Sequence, residues 1–206
     1  MPVDLKFILD SRGIDAFKGA PAAIKRALYK AGQTALRDMR SEAKKRIRAR
    51  KRIKAGLIGK AFVMKRPKGS SIDGAEWALK VKGGVVPLIA YPHRQTPRPV
   101  GPRSKRRNRP GGVRVEVNRG KRTLIKGAFI ATMRSGHKGI FVRTGVKRLP
   151  IRELLGSRPV DALLHKGEPE AVQERGRVSM AATFERLLPM ELDKARAKLG
   201  GGKGDA

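Results

Sequence analysis

The chain opens with alternating positions. Val3, Leu5, Phe7 and Leu9 fall on one side of an extended backbone against polar neighbours, the pattern of a short half-buried strand, which Asp10, Ser11, Arg12 and Gly13 then end. From Pro21 the period changes. Ile24, Leu28, Ala31, Ala35, Met39, Ala43 and Ile47 recur every three or four residues and predict a narrow apolar stripe on a helix from residue 24 to 50, about 40 Å long at its usual rise. A short helical pattern follows at Ile53, Leu57, Ile58 and Phe62. Trp77, Leu79 and Val81 alternate before Gly83 and Gly84, and a second apolar run from Val85 to Tyr91 makes the whole segment read as a hairpin. Pro87 suits only an edge or bulged strand, so the second arm is expected at an edge.

Strand patterns resume at Val113, Val115 and Val117, then from Ala128 to Met133 and from Ile140 to Arg143, with a turn at Asn118, Arg119 and Gly120. Trp77, Leu79, Val81, Phe129 and Phe141 are the expected core of the sheet. A second long helix is predicted by Val178, Ala181, Phe184, Leu188, Leu192, Ala195 and Leu199, with Pro189 expected to kink or divide it. The order predicts an α+β fold: an antiparallel sheet packed against a long N-terminal and a long C-terminal helix. One domain is expected over residues 1–198, with residues 199–206 a flexible tail.

Composition changes this picture in one respect. The 206 residues hold 49 Lys and Arg against 17 Asp and Glu, a formal net charge of +32. Most of it is local: residues 25–68 carry +15 and residues 92–126 carry +11. Residues 92–112, PHRQTPRPVGPRSKRRNRPGG, contain five prolines and seven basic residues with no acid. They are expected to form a basic extended arm or loop inserted in the domain. Two groups of cations are therefore the candidate contacts with DNA or an acidic partner. The first is Lys44, Lys45, Arg46, Arg48, Arg50, Lys51 and Arg52 at the end of the first helix, where the helix dipole also favours cations. The second is Arg94, Arg98, Arg103, Lys105, Arg106, Arg107 and Arg109 on the arm. Charges this dense repel one another over about 10 Å at ordinary salt, which favours a polyanionic neighbour. Neither run holds an aromatic residue, so contact with phosphates is expected rather than stacking on bases.

Catalytic chemistry has little to stand on. There is no cysteine, which removes disulfides, thiolate nucleophiles and the common zinc sites. His93, His137 and His165 are scattered, and no HExxH, Walker loop, GxSxG or GxGxxG is present. No catalytic residue, metal or cofactor is assigned, and the protein is not expected to be an enzyme. RSGHKGIFVRTG, residues 134–145, could cradle an anion. A plain hairpin turn between two strands explains it better. No stretch approaches the roughly 20 apolar residues of a membrane span, and the first ten residues lack a basic-then-apolar leader pattern, so a soluble, unsecreted chain is expected.

The ordered segments IKRALYKAGQTALRDMR, WALKVKGGVVPLIAY and GVRVEVNRGKRTLIKGAFIATMRSGHKGIFVRTGVKRLPIRELLGSRPV resemble the prophage minor tail protein Z family, the tail-completion proteins of long-tailed phages. The likeness runs from about Ile24 to about Leu199, and its most telling part is IFVRTG followed by RLPI and LLGSRPV. The Pro/Arg-rich arm departs from the family pattern. The resemblance implies a structural virion protein at the head-proximal end of the tail, assembled in the host cytoplasm, that helps finish the tail and join it to the head. It implies a homo-oligomer, with a six-membered ring around the DNA channel the first expectation. Tail-terminator, tail-tube or head-connector proteins would be its neighbours, with non-specific contact to phage DNA and none to a membrane. It carries over no active-site residues. The alternative is a basic protein that binds nucleic acid without sequence preference.

Overall fold

The computed structural model describes the backbone of residues 5–8, 22–67, 77–96 and 111–200, and the side chains of 22–67, 77–96 and 111–197. The chain is mixed helix and antiparallel sheet and divides into two compact units.

The first unit is built from residues 3–45, 62–82 and 163–206. It holds helix α1 (Ala22–Arg50) as far as Lys45, strands β1 (Leu5–Ile8), β2 (Phe62–Lys65) and β3 (Ala78–Val81), and helix α3 (Glu168–Gly200). The strands form one sheet in the order β1-β3-β2, both pairs antiparallel. The apolar stripe of α1 is buried as its spacing predicts: Leu28, Ala31, Ala35, Met39 and Ala43 are inside, and Ile24 is half-buried. Alanine at every second or third contact lets neighbouring elements come close. Trp77 shows the consequence. Its indole is fully buried against Gly32 of α1, where any Cβ would collide with the ring, and it meets Tyr29 at 6.5 Å between ring centroids.

Helices α1 and α3 pack antiparallel, and their seam is polar. Arg26 Nε lies 3.2 Å and Lys30 Nζ 2.7 Å from the two carboxylate oxygens of Glu191, and Ser179 Oγ donates to Asp38 Oδ2 at 2.6 Å. Val172, Gly176, Ser179, Thr183 and Glu191 form the buried face of α3. This corrects the expected stripe: Val178 is 51% exposed, Ala181 is exposed, and Phe184, Leu188, Leu192 and Ala195 are half-buried. An apolar periodicity cannot register a seam made of small and paired polar residues. Pro189 lies inside α3, which continues past it undivided.

The second unit comprises residues 46–61 and 83–162 with the first two residues. It contains the last turn of α1, helix α2 (Ala55–Lys60) and two three-stranded antiparallel sheets. One sheet has the order β4 (His93–Thr96), β5 (Gly112–Asn118), β6 (Lys121–Lys126). The other has the order β7 (Phe129–Thr132), β8 (Lys138–Arg143), β9 (Ile151–Glu153). Ile47, Ile53, Ile58, Tyr91, Val113, Val115 and Ile140 are among its buried side chains.

Three expectations are corrected here. The run from Val85 to Tyr91 is no hairpin arm: Leu88–Ala90 is a single 3-10 turn, and β3 pairs with β1 and β2 instead. The polar groups around that turn bond to residues 154–156, with Leu88 N–H donating to Leu154 O at 3.1 Å and Gly156 N–H to Val86 O at 2.7 Å. Tyr91, 1% exposed, is fixed by its hydroxyl donating to Ser157 O at 2.8 Å. Second, Phe129 is half-buried, because it lies on an edge strand and is covered by the Arg143 guanidinium 5.2 Å above its ring. Third, the expected arm is not wholly an arm, since His93–Thr96 forms edge strand β4 and Gly112 begins β5. An edge strand backed by Val113 and Val115 tolerates the polar residues that make the segment read as irregular. The turn within residues 134–145 is a hairpin turn joining β7 to β8, closed by Met133 N–H to His137 O at 2.8 Å.

Candidate polyanion-binding face

The alternation GVRVEV decides which way each side chain of β5 points. Val113 and Val115 are buried, whereas Arg114 projects to the opposite, exposed face, and Glu116 lies on that same face. Register then sets the neighbours. Arg94 of β4 stands opposite Arg114, and Glu116 stands opposite Arg122 of β6.

Glu116 is the organising residue. Although exposed by only 6%, its carboxylate is fully engaged: Gly120 N–H donates to Oε1 at 3.0 Å, Arg52 Nε lies 3.2 Å from Oε1, and Arg122 Nε lies 3.3 Å from Oε2. The Gly120 amide holds the carboxyl below its usual range, and Arg122 and Arg52 add to this against the cost of burial. Gly120 makes that bond because it takes φ 78° in the turn after β5, a conformation side-chain-bearing residues rarely adopt.

The end of α1 is tied to the same strand. Arg119 N–H donates to Arg50 O and Arg52 N–H to Val117 O, both at 3.0 Å, and Lys51 Nζ reaches Asn118 Oδ1 at 2.8 Å. Two basic regions separated by some forty residues in sequence thus meet on one sheet. A cleft of about 260 Å³ opens there, lined by Pro92, His93, Arg94, Arg114, Glu116 and Arg122.

Of the candidate contacts, Lys51, Arg52 and Arg94 are brought to this sheet. Arg48 and Arg50 lie in the last turn of α1 and Arg46 just before it, in the same unit, whereas Lys44 and Lys45 belong to the helix-pair unit. Arg98, Arg103, Lys105, Arg106, Arg107 and Arg109 lie outside the described residues, in the segment joining β4 to β5. Sequence reasoning missed Arg114, Glu116 and Arg122. Alternation with Val113 and Val115 puts the first two on one face, but the partner of Arg114 follows only from pairing with β4, a strand that composition had hidden, and that of Glu116 from the register of β6.

No three His, Asp or Glu side chains gather into a metal-binding group among the described residues. No helix among them is long and apolar enough to cross a membrane. Comparison of the chain with protein-family models, with curated proteins and with solved structures gives no match. The groups this face offers are guanidinium forks, suited to bidentate contact with phosphate or carboxylate oxygens.

Proposed function

We propose that the protein is a structural virion component of a long-tailed phage, a minor tail or tail-completion protein at the head-proximal end of the tail. In this reading it acts as a ring of copies around the DNA channel, six being the first expectation, and helps finish the tail and join it to the head. The ordered likeness of its helix and strand segments to minor tail protein Z supports the setting. The observation that carries the mechanism is the β4-β5-β6 face, where Glu116 is consumed by Gly120, Arg52 and Arg122 while Arg94 and Arg114 stand exposed beside it. Such a face attracts a polyanion without reading its sequence, through contacts that salt weakens, so any stretch of DNA can be held near it.

A nonsense mutation in the gene, followed by electron microscopy of the lysate, tests the role. Filled heads and separate tails, with joining restored by the protein supplied in trans, are expected. Normal joined particles would overturn the reading and leave the alternative, a sequence-independent nucleic-acid-binding protein, which the same cationic face also suits.

A further inference from the structure

We propose that Arg94 and Arg114 form a two-pronged seat for one phosphate of a nucleic-acid backbone. The inference rests on the reading of this face as the side turned to a polyanion, and it names the ligand and the residues. Glu116 N–H donates to Pro92 O at 3.0 Å, so residues 94 and 114, two steps along, are a hydrogen-bonded cross-strand pair, with Cα atoms about 5.5 Å apart. Like charges directly opposite in a sheet destabilise it. The nearest carboxylate does not relieve them, because both Glu116 oxygens are already taken, and no other carboxylate among the described residues pairs with either arginine. An anion between the two guanidiniums removes the repulsion, and the cleft beside them gives it room.

The surroundings select the class of anion. Apart from half-buried Leu124, the described residues of the face include no large apolar side chain, so they lack the anchor that a protein partner would bury. Among the described residues the face presents no Phe, Tyr or Trp for stacking a base; its one ring, His93, is tethered through Nδ1 to Tyr91 O at 2.8 Å, and Gln95, opposite Val113, alternates to the other face. What remains is contact with phosphates, indifferent to sequence.

The test uses the purified full-length protein and a short fluorescent DNA duplex, with affinity measured by anisotropy between about 50 and 200 mM salt. The parent is compared with Arg94→Gln/Arg114→Gln and with Lys166→Gln/Arg186→Gln, which removes the same charge from exposed positions elsewhere. The first variant is expected to lose about tenfold or more in affinity and to flatten the slope of log affinity against log salt by about two, equally for unrelated sequences. The second should change both far less, and the first variant's denaturant midpoint should not fall, since a repulsion has been removed. Equal losses in the two variants, a fallen midpoint, or loss of poly-glutamate binding with DNA binding intact would each overturn the seat. None of these bears on whether heads join tails, so the virion role stands or falls separately.

Discussion

On the helix pair, the Glu191 carboxylate gathers Arg26 and Lys30 from the opposite helix and Lys194 from its own, and Asp38 takes both Ser179 and Arg175. On the β4-β5-β6 sheet, Glu116 is the one carboxylate among the described residues, set against six cations on or between the strands, at Arg94, Arg114, Arg119, Lys121, Arg122 and Lys126, with Arg52 reaching in beside it. The first arrangement uses charge to hold two helices in register. The second leaves charge over. Net basicity therefore stands differently in the two places: across the helix seam it is paired with Glu191 and Asp38, and on the sheet Arg94 and Arg114 stay exposed beside a carboxylate already taken.

The largest expected effect lies in the helix-pair unit. Trp77→Ala empties a fully buried site beside Gly32 and should cost about 3 to 5 kcal/mol in denaturant unfolding. An unchanged midpoint would mean that this unit's apolar core is not what holds it. Phe129→Ala should cost less, about 1 to 2 kcal/mol, because the ring is half-buried and capped by Arg143. A loss as large as that of Trp77→Ala would show that the edge strand contributes a full core position.

Acid sharpens the contrast further. Hydrogen bonding from Lys30, with Arg26 and Lys194 adding to it against burial, holds the Glu191 carboxyl below its usual range. A carboxyl whose folded pKa is depressed adds stability above its unfolded pKa, about 4.3, and that stability is lost as pH falls through the folded value. Glu191→Gln should therefore lower the neutral-pH midpoint and flatten its decline below about pH 4.3, and Glu116→Gln should do the same for the sheet unit. Parallel acid limbs in parent and variants would contradict both assignments. Burial raises the Tyr91 hydroxyl above its usual range despite its bond to Ser157. The sign is then opposite: that contribution is full below about pH 10 and disappears as pH rises through the folded value. Tyr91→Phe should shorten this alkaline loss. The smallest stability effect is expected on the segment outside the described residues. Replacing Arg103, Lys105, Arg106, Arg107 and Arg109 with Ser should leave the midpoint unchanged while reducing infectivity, and unaltered phage titre would remove that segment from the mechanism.

What was legible in the sequence follows the same division. The stripe Leu28, Ala31, Ala35, Met39, Ala43 and Ile47 is buried as its period predicts, because an apolar face has one way to leave water. The turn at Asn118 to Gly120 and the alternation of Val113 with Val115 read equally well. The face of α3 did not, since Gly176, Ser179, Thr183 and Glu191 are buried without an apolar signal of their own, Ser179 and Glu191 through partners on α1. Nor did the run from Val85 to Tyr91, whose apolar residues suit a strand but whose hydrogen bonds are taken by residues 154–156. The candidate site was half visible. Its cations were plain in the composition, whereas Arg114 gains its meaning only from lying opposite Arg94, on a strand disguised by prolines and arginines.

Cryo-electron microscopy of assembled particles tests the central claim most directly, by locating this chain and the direction in which the sheet of Arg94 and Arg114 faces. The account predicts a ring at the junction of head and tail with that sheet turned to the DNA channel. A particle with no density for the chain, or a ring whose arginine face lies in open solvent, would contradict it.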